Sequence, residues 1–146
     1  MLIEERAAHR PPLVSGVGVR LPSHLTATGR AILAALPRNQ VRALYPNRQA
    51  FTDRTGIGPK SPKELEATLA ETQRTGFCRG TRRRDARLLI SYAVAVRDYN
   101  DFPIAGLALT FVSGSLRPEQ ERSLKTKLRL AGTELSRRLG AVGSLT

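Results

Sequence analysis

Residue types that could do chemistry gather at the start of a predicted helix. The stretch "LPSHLTATGRAILAAL" opens with Thr26 and Thr28 around Ala27 and becomes apolar one turn later. The first amides of a helix lack intrahelical acceptors and lie at the positive end of its dipole, so they favour a carboxylate that nearby hydroxyls can orient. An ordinary helix start, with Ser23 or Thr26 as the cap, explains the same residues. Both interpretations are open at this point.

No catalytic or metal-binding constellation accompanies these hydroxyls. His24 beside Ser23 is better interpreted as structural than as a catalytic base, because adjacency in sequence does not establish geometry. Cys78 is the only cysteine, and with only His9 and His24 in the chain no spacing resembles a zinc site. No glycine-rich phosphate loop occurs. We therefore expect no enzyme, no catalytic residues, no metal and no cofactor.

Positive charge is the most unusual bulk property of the sequence. The formal net charge is +12, and the basic residues are spread over most segments, with one dense run at Arg82, Arg83 and Arg84. A site for a nucleic-acid backbone clusters its charge and, for single strands, interleaves aromatic residues, which make up only 5% here. A solvated basic surface is the preferred interpretation, and a nucleic-acid-binding module is the alternative. Small anions are attracted in both cases.

Length and composition indicate one domain that works in the cytoplasm. The 146 residues suffice for one hydrophobic core, and the 40% hydrophobic content is that of a globular protein. No apolar run approaches the roughly 18 residues that a membrane helix needs. The first ten residues, "MLIEERAAHR", carry two glutamates and no apolar core of a signal peptide.

Local signals predict a strand and three helices in the first half of the chain. The strand is "LVSGVGVRL", and the first helix extends to Pro37. A short amphipathic helix follows around "NQVRALY". The third helix, "SPKELEATLAETQRTG", has Ser61 as its cap, Pro62 at its first position, Glu64 for a capping box and Gly76 beyond its end.

A β-hairpin and a long helix are predicted in the second half. Two apolar runs flank Asp98–Asp101, and their alternation separates two faces. The bulky face contains Tyr92, Val94, Val96, Leu107, Leu109 and Phe111, and the small face contains Ser91, Ala93, Ala95, Gly106, Ala108 and Thr110. The terminal helix, about Arg117 to Leu139, carries Leu124, Leu128, Ala131, Leu135 and Leu139 at helical spacing. It is expected to pack on the bulky face, in an α+β fold with an antiparallel sheet.

Four ordered blocks resemble the C-terminal effector-binding domain of the IclR family of bacterial transcriptional regulators. "LPSHLTATGRAILAALP" is similar to the family block L-P-[small]-H-A-T-A-x-G-[KR]-A-x-L-A. "SPKELEATLAETQRTGF", "ISYAVAVRDYNDFPIAGLALT" and "LAGTELSRRLG" match later blocks, so that the resemblance covers about residues 13 to 140. It implies a GAF-like domain, with an antiparallel sheet flanked by helices, over the whole of residues 1–146.

The resemblance also implies a ligand, partners and site residues. Such a domain binds a small metabolite and passes the signal to an N-terminal winged helix-turn-helix, which this chain lacks, so we expect a truncated regulator, the sensor part of one, or a stand-alone relative. It implies a homodimer or homotetramer that contacts operator DNA only through the missing domain. Carried over by motif, the ligand pocket is lined by Leu13, Thr26, Ala27, Thr28, Ser91, Ala108 and Thr110. A small carboxylate, such as an aromatic acid, is the expected effector.

Two positions depart from the family pattern. Where the family has an acidic residue before the first hairpin strand, this chain has "TRRRDARLLI", and its Arg82–Arg84 either hold an anionic effector or lie in solvent. Leu25 replaces a preferred alanine and is expected to narrow the cavity. Besides the nucleic-acid module, an orphan sensor or dimerisation module that acts through another protein remains an alternative.

Overall fold

The computed structural model describes residues 18–52 and 57–143. Two single-turn 3₁₀ helices, Ser23–Leu25 and Arg48–Ala50, supplement the main elements. The helices are α1 (Ala27–Ala35), α2 (Arg38–Leu44), α3 (Pro62–Thr75) and α4 (Pro118–Arg138). The strands are β1 (Cys78–Arg84), β2 (Arg87–Arg97) and β3 (Pro103–Val112), which form an antiparallel sheet in the order β1-β2-β3. The predicted α+β class is confirmed.

The N-cap, the first-turn proline and the C-terminal glycine of α3 are those that its sequence predicts, whereas the predicted capping box does not form. The Ser61 hydroxyl accepts a hydrogen bond from the Glu64 amide at 3.3 Å, and Pro62 occupies the first turn. Glu64 departs from the usual capping box, because its carboxylate accepts from the amide of Lys60. Gly76 ends the helix at φ 77°, a left-handed conformation that favours glycine.

The bulky face of the β2–β3 hairpin packs against α4, as predicted. Its residues join one cluster with the helix, formed by Phe77, Ile90, Tyr92, Val94, Phe111 and Leu128. The Tyr92 hydroxyl also donates to Glu121 Oε1 at 2.6 Å. At Gly132 the helix comes so near the sheet that a Cβ atom there would lie 2.7 Å from Val94 Cγ2. The close approach of α4 is therefore centred on Leu128 and Gly132.

The predicted apolar stripe of α4 is buried only near that point. Leu128 is buried and Leu124 is half-buried, whereas Ala131, Leu135 and Leu139 are exposed. The helix stays close to β2 beyond Gly132, because Ser136 Oγ accepts a hydrogen bond from the Arg97 amide at 2.9 Å. The docked face of α4 therefore runs through Leu128, Gly132 and Ser136, which are four residues apart, and the exposed residues of the stripe lie beside this face. The predicted packing of α4 on the bulky face thus involves Leu128 and part of Leu124, and the remaining residues of the stripe are exposed.

The small-residue face of the sheet packs against α1. Ala27 and Ala31 of the helix form a buried cluster with Cys78 of β1 and Ala93 of β2. A second cluster joins α1 to α2 and α3 through Leu33, Ala34, Val41, Leu65 and Leu69. The sheet is thus covered by α1 on one face and α4 on the other, which places the predicted site residues on the α1 side.

Two strand predictions need correction. Of the predicted strand Leu13–Leu21, residues 13–17 lie outside the described part of the chain, and the remaining residues, 18–21, form no strand. Conversely, Cys78–Arg84 forms β1, which was not predicted because its arginines lack the apolar alternation of a strand. No helix in the described ranges has the length and apolar character needed to cross a membrane.

Candidate functional site

The start of α1 lies directly over β1. A Cβ atom at Gly80 would be 3.0 Å from Ala27 Cβ, a tight contact, so that a side chain there would require the helix and the strand to move slightly apart. Gly80 is paired with Ser91 on β2. The first turn of α1 and its free amides are therefore one strand away from the Ser91 hydroxyl.

Ser91 and Thr110 form a hydroxyl pair across β2 and β3. They are direct partners in the strand register, and their Oγ atoms are 2.9 Å apart. Both residues are only partly buried, and neighbouring Ala108 is exposed on the same face. The pair satisfies one hydrogen bond internally and keeps further hydrogen-bonding capacity for another molecule.

The two threonines of the first turn have different roles. Thr26 is the N-cap of α1, and its Oγ1 accepts from the Gly29 amide at 3.0 Å. Thr28 lies over β3, where a Cβ atom at Gly106 would be 2.8 Å from Thr28 Cβ. The small side chains of this region therefore have a structural reason, because they let α1 approach all three strands.

The described site residues come together on one side of the sheet. We call Thr26, Ala27, Thr28, Ser91, Ala108 and Thr110 the hydroxyl site. Leu13, the seventh predicted residue, lies outside the described part of the chain. Leu25 lies beside Gly58, where a Cβ atom would be 3.2 Å from Leu25 Cδ2, and its expected narrowing of the pocket stays a prediction.

Two polar residues next to the first turn of α1, His24 and Arg30, are buried. His24 is 1% exposed, its Nε2 lies 3.1 Å from the Thr52 carbonyl oxygen, and its ring contacts Tyr45 and Phe51 edge-on. Tyr45 is itself partly buried, and this burial raises its pKa above the ordinary value. A hydrogen bond with the His24 backbone acts in the opposite direction and has the smaller effect. This environment agrees with the structural role expected for His24.

Arg30 holds two elements together from a buried position. It is 6% exposed, and its guanidinium donates from Nη1 to the His24 carbonyl at 3.0 Å and from Nη2 to the Arg79 carbonyl at 3.2 Å. Its Nε is buried without a hydrogen-bond partner among the described residues. Sequence reasoning missed this role, because a lone arginine in a helix is normally exposed.

Two cavities open elsewhere on the described surface. One of about 120 Å³ lies between α1, α2 and α3, and one of about 320 Å³ lies beside Leu25, Phe51 and the 57–60 segment. The described residues of the hydroxyl site line neither of these two cavities. Within residues 18–52 and 57–143, no group of three or more His, Cys, Asp or Glu residues could hold a metal ion.

Comparison with known proteins places this architecture among bacterial regulators. The family pattern of the bacterial transcriptional regulator IclR C-terminal region matches residues 3–137. The HTH-type transcriptional regulator XynR of Escherichia coli is 29% identical over 126 residues, which cover 86% of this chain and 49% of XynR. The chain therefore spans about half the length of this relative.

Solved structures of similar proteins share the fold. The repressor BlcR of Agrobacterium tumefaciens is 29% identical, with a TM-score of 0.68 over 90% of this chain and 52% of BlcR. A double mutant of the PobR inducer-binding domain from Acinetobacter, in complex with 3-hydroxybenzoic acid, is 22% identical, with a TM-score of 0.66 over 88% of this chain and 73% of that one.

Proposed function

Because the chain belongs to the IclR family of bacterial transcriptional regulators, we propose that it is the effector-sensing domain of such a regulator and binds a small organic or aromatic carboxylate. The family consists of transcriptional regulators and not of enzymes. The bound effector controls DNA binding by another region of the regulator, and the protein works in the cytoplasm.

The observation that carries this proposal is the convergence of α1 and the hydroxyl pair. The first turn of α1 is one strand from Ser91, and Ser91 bonds to Thr110. Helix-start amides and hydroxyls are groups that bind a carboxylate by hydrogen bonds. Exposed Ala108 leaves room beside them for the body of a ligand.

The PobR domain supports an aromatic acid as one candidate class of effector. It shares the fold, and its structure contains 3-hydroxybenzoic acid, which combines an apolar ring with a carboxylate and a hydroxyl. The hydroxyl site offers groups complementary to these, since the exposed Ala108 adjoins the hydroxyl groups of Ser91 and Thr110. 3-Hydroxybenzoate is therefore a suitable first probe.

Regulation requires that the effector distinguish two conformations of the regulator. A ligand shifts such an equilibrium only by its difference in affinity for the two states. In our proposal the effector binds at the start of α1 and changes how the domain assembles as a homodimer or homotetramer. The assembly positions a separate winged helix-turn-helix on operator DNA.

A thermal-shift screen with two matched variants tests the proposal. The purified chain is heated with a panel of small carboxylates, including benzoate and 3-hydroxybenzoate, at physiological salt. A ligand that binds the native state raises the melting temperature in a saturable manner. Ala108→Leu fills the hydroxyl site from an exposed position, whereas Ala105→Leu places the same side chain at an exposed position on the opposite face of β3.

We expect the shift to be lost in Ala108→Leu and retained in Ala105→Leu. A shift that survives in Ala108→Leu would show that the carboxylate binds elsewhere. The absence of a saturable shift with every carboxylate in the panel would reject the proposed class of effector.

A further inference from the structure

β1 directs two arginines toward the hydroxyl site and one away from it. Side chains alternate along a strand, and Gly80 faces α1, so Arg82 and Arg84 lie on the α1 side and Arg83 lies on the α4 side. Arg87, the partner of Arg84 across the turn, shares the α1 side. Three guanidinium groups therefore project from the face that carries Ser91 and Thr110.

Arg82 is near enough to serve the same ligand as Ser91. Gly80 is paired with Ser91, and Arg82 with Leu89, so Arg82 is the diagonal neighbour of Ser91. Diagonal neighbours in an antiparallel pair are roughly 7–8 Å apart, a distance that an arginine side chain can bridge. A ligand bound at the Ser91 hydroxyl is thus within reach of the Arg82 guanidinium.

No carboxylate of residues 18–52 or 57–143 forms an ion pair with these arginines. The ion pairs of the described residues involve Arg42, Arg74, Arg97, Arg117, Arg137 and Arg138, and none includes Arg82, Arg84 or Arg87. Both Arg82 and Arg87 are exposed. Positively charged guanidinium groups on one face repel each other and attract an anion. Each of them can bind a carboxylate or phosphate through two parallel hydrogen bonds.

An apolar pair lies in the same row of the sheet as Arg82, next to the row of the hydroxyls. Leu89 and Val112 are direct partners on β2 and β3, one row beyond Ser91 and Thr110 on the same face. Both are half-buried and leave part of their side chains accessible. On this face of the sheet, the row that contains the Ser91 and Thr110 hydroxyls is thus followed by a row in which Arg82 lies beside Leu89 and Val112.

We propose that Arg82 supplies a second anion-binding group, so that the preferred ligand is an organic acid with two acidic groups. The inference rests on the proposed function, since the first acidic group binds at the hydroxyl site. The second binds the Arg82 guanidinium, and the carbon skeleton lies on Leu89 and Val112. Arg84 and Arg87 strengthen the positive potential at that end.

Matched acids and matched variants test this inference. Dissociation constants are measured by titration calorimetry for succinate, adipate and terephthalate and for the corresponding monoacids butyrate, hexanoate and benzoate. The proteins are the wild type, Arg82→Ala and Arg83→Ala. Arg82 and Arg83 are adjacent and exposed, so the two variants lose the same charge from opposite faces of β1.

We expect at least one diacid to bind the wild type about tenfold or more tightly than its monoacid, which corresponds to one charge-assisted hydrogen bond. Arg82→Ala should abolish that preference, and Arg83→Ala should keep it. An equal loss of the diacid preference in both variants would overturn the inference. It would indicate that the overall positive potential of the surface attracts the diacid, without a direct contact to Arg82.

The outcomes also separate this inference from the proposed function. If monoacids bind and no diacid is preferred, the inference fails and the proposed function stands. If neither acid binds, both fail. If a generic DNA duplex binds at physiological salt, is weakened alike in both variants, and no diacid is preferred, the arginines serve nucleic acid and the inference is overturned.

Discussion

Thr28 in the first turn of α1 lies directly against Gly106 of β3. A Cβ atom at Gly106 would be 2.8 Å from Thr28 Cβ and 3.1 Å from Thr28 Cα. The second distance involves backbone, so no side-chain rotation can relieve it. Glycine at this position therefore sets how closely the helix approaches the sheet at the hydroxyl site.

Gly106→Ala should destabilise the fold by forcing α1 away from β3. Overpacking of this kind costs about 1–3 kcal/mol of unfolding free energy. Urea unfolding would measure the loss. Gly143→Ala is the matched control, because a Cβ atom there has no neighbour within 4 Å among the described residues. Equal stability of the two variants would contradict the close contact.

Thr26→Ala should remove the cap of α1. The Thr26 hydroxyl accepts from the Gly29 amide at 3.0 Å, and loss of such a cap typically costs about 1 kcal/mol of unfolding free energy. Thr26→Ser should retain most of the stability, since serine caps as well. Ser23→Ala removes the hydroxyl of the other candidate cap and should cost little stability. An equally large loss of unfolding free energy in this variant would contradict Thr26 as the cap.

Leu128→Ala and Leu130→Ala should differ strongly in stability. Leu128 is 3% exposed and packs on the bulky face of the sheet, whereas Leu130 is 64% exposed two positions later on the same helix. A buried Leu→Ala change costs about 2–5 kcal/mol, and an exposed one changes stability by about 0.5 kcal/mol or less. Chemical denaturation of both variants measures which face of α4 is docked.

Tyr92 should make the protein less stable at alkaline pH. Burial, and then the hydrogen bond to Glu121, raise the pKa of Tyr92 above its ordinary value of 10.0. Because the folded pKa is the higher one, this contribution to stability is complete below the unfolded pKa and is lost as the pH rises through the folded pKa.

Urea midpoints measured from about pH 8 to pH 11 would test this dependence. The decline above pH 10 should be shallower in Tyr92→Phe than in the wild type. Tyr99→Phe is the control, because Tyr99 is 70% exposed. The same slope in Tyr92→Phe and the wild type would show that another group causes the decline.

The sequence allowed prediction of the features that depend on local pattern. The caps of α3, the β2–β3 hairpin and the division of its faces follow from residues that are close in the chain, as does Thr26 as a candidate cap. The resemblance to a family then grouped the hydroxyl site, whose described members share one face of the sheet.

Features that depend on distant partners were not predictable. β1 is a strand because β2 pairs with it, although Arg82–Arg84 have no strand pattern. The close approaches at Gly80, Gly106 and Gly132 depend on side chains from other elements. The burial of Arg30 likewise follows from carbonyl groups of His24 and Arg79, which only the folded chain brings together.

The bond between Ser91 and Thr110 limits what these two residues can offer to a ligand. Two hydroxyl groups carry two hydrogen atoms, and their mutual bond at 2.9 Å uses one of them. One hydrogen atom is left to donate outward, while acceptor lone pairs remain on both oxygens. The pair can therefore donate only one hydrogen bond to a bound carboxylate, whose other acceptor sites depend on the amides at the start of α1 or on arginine.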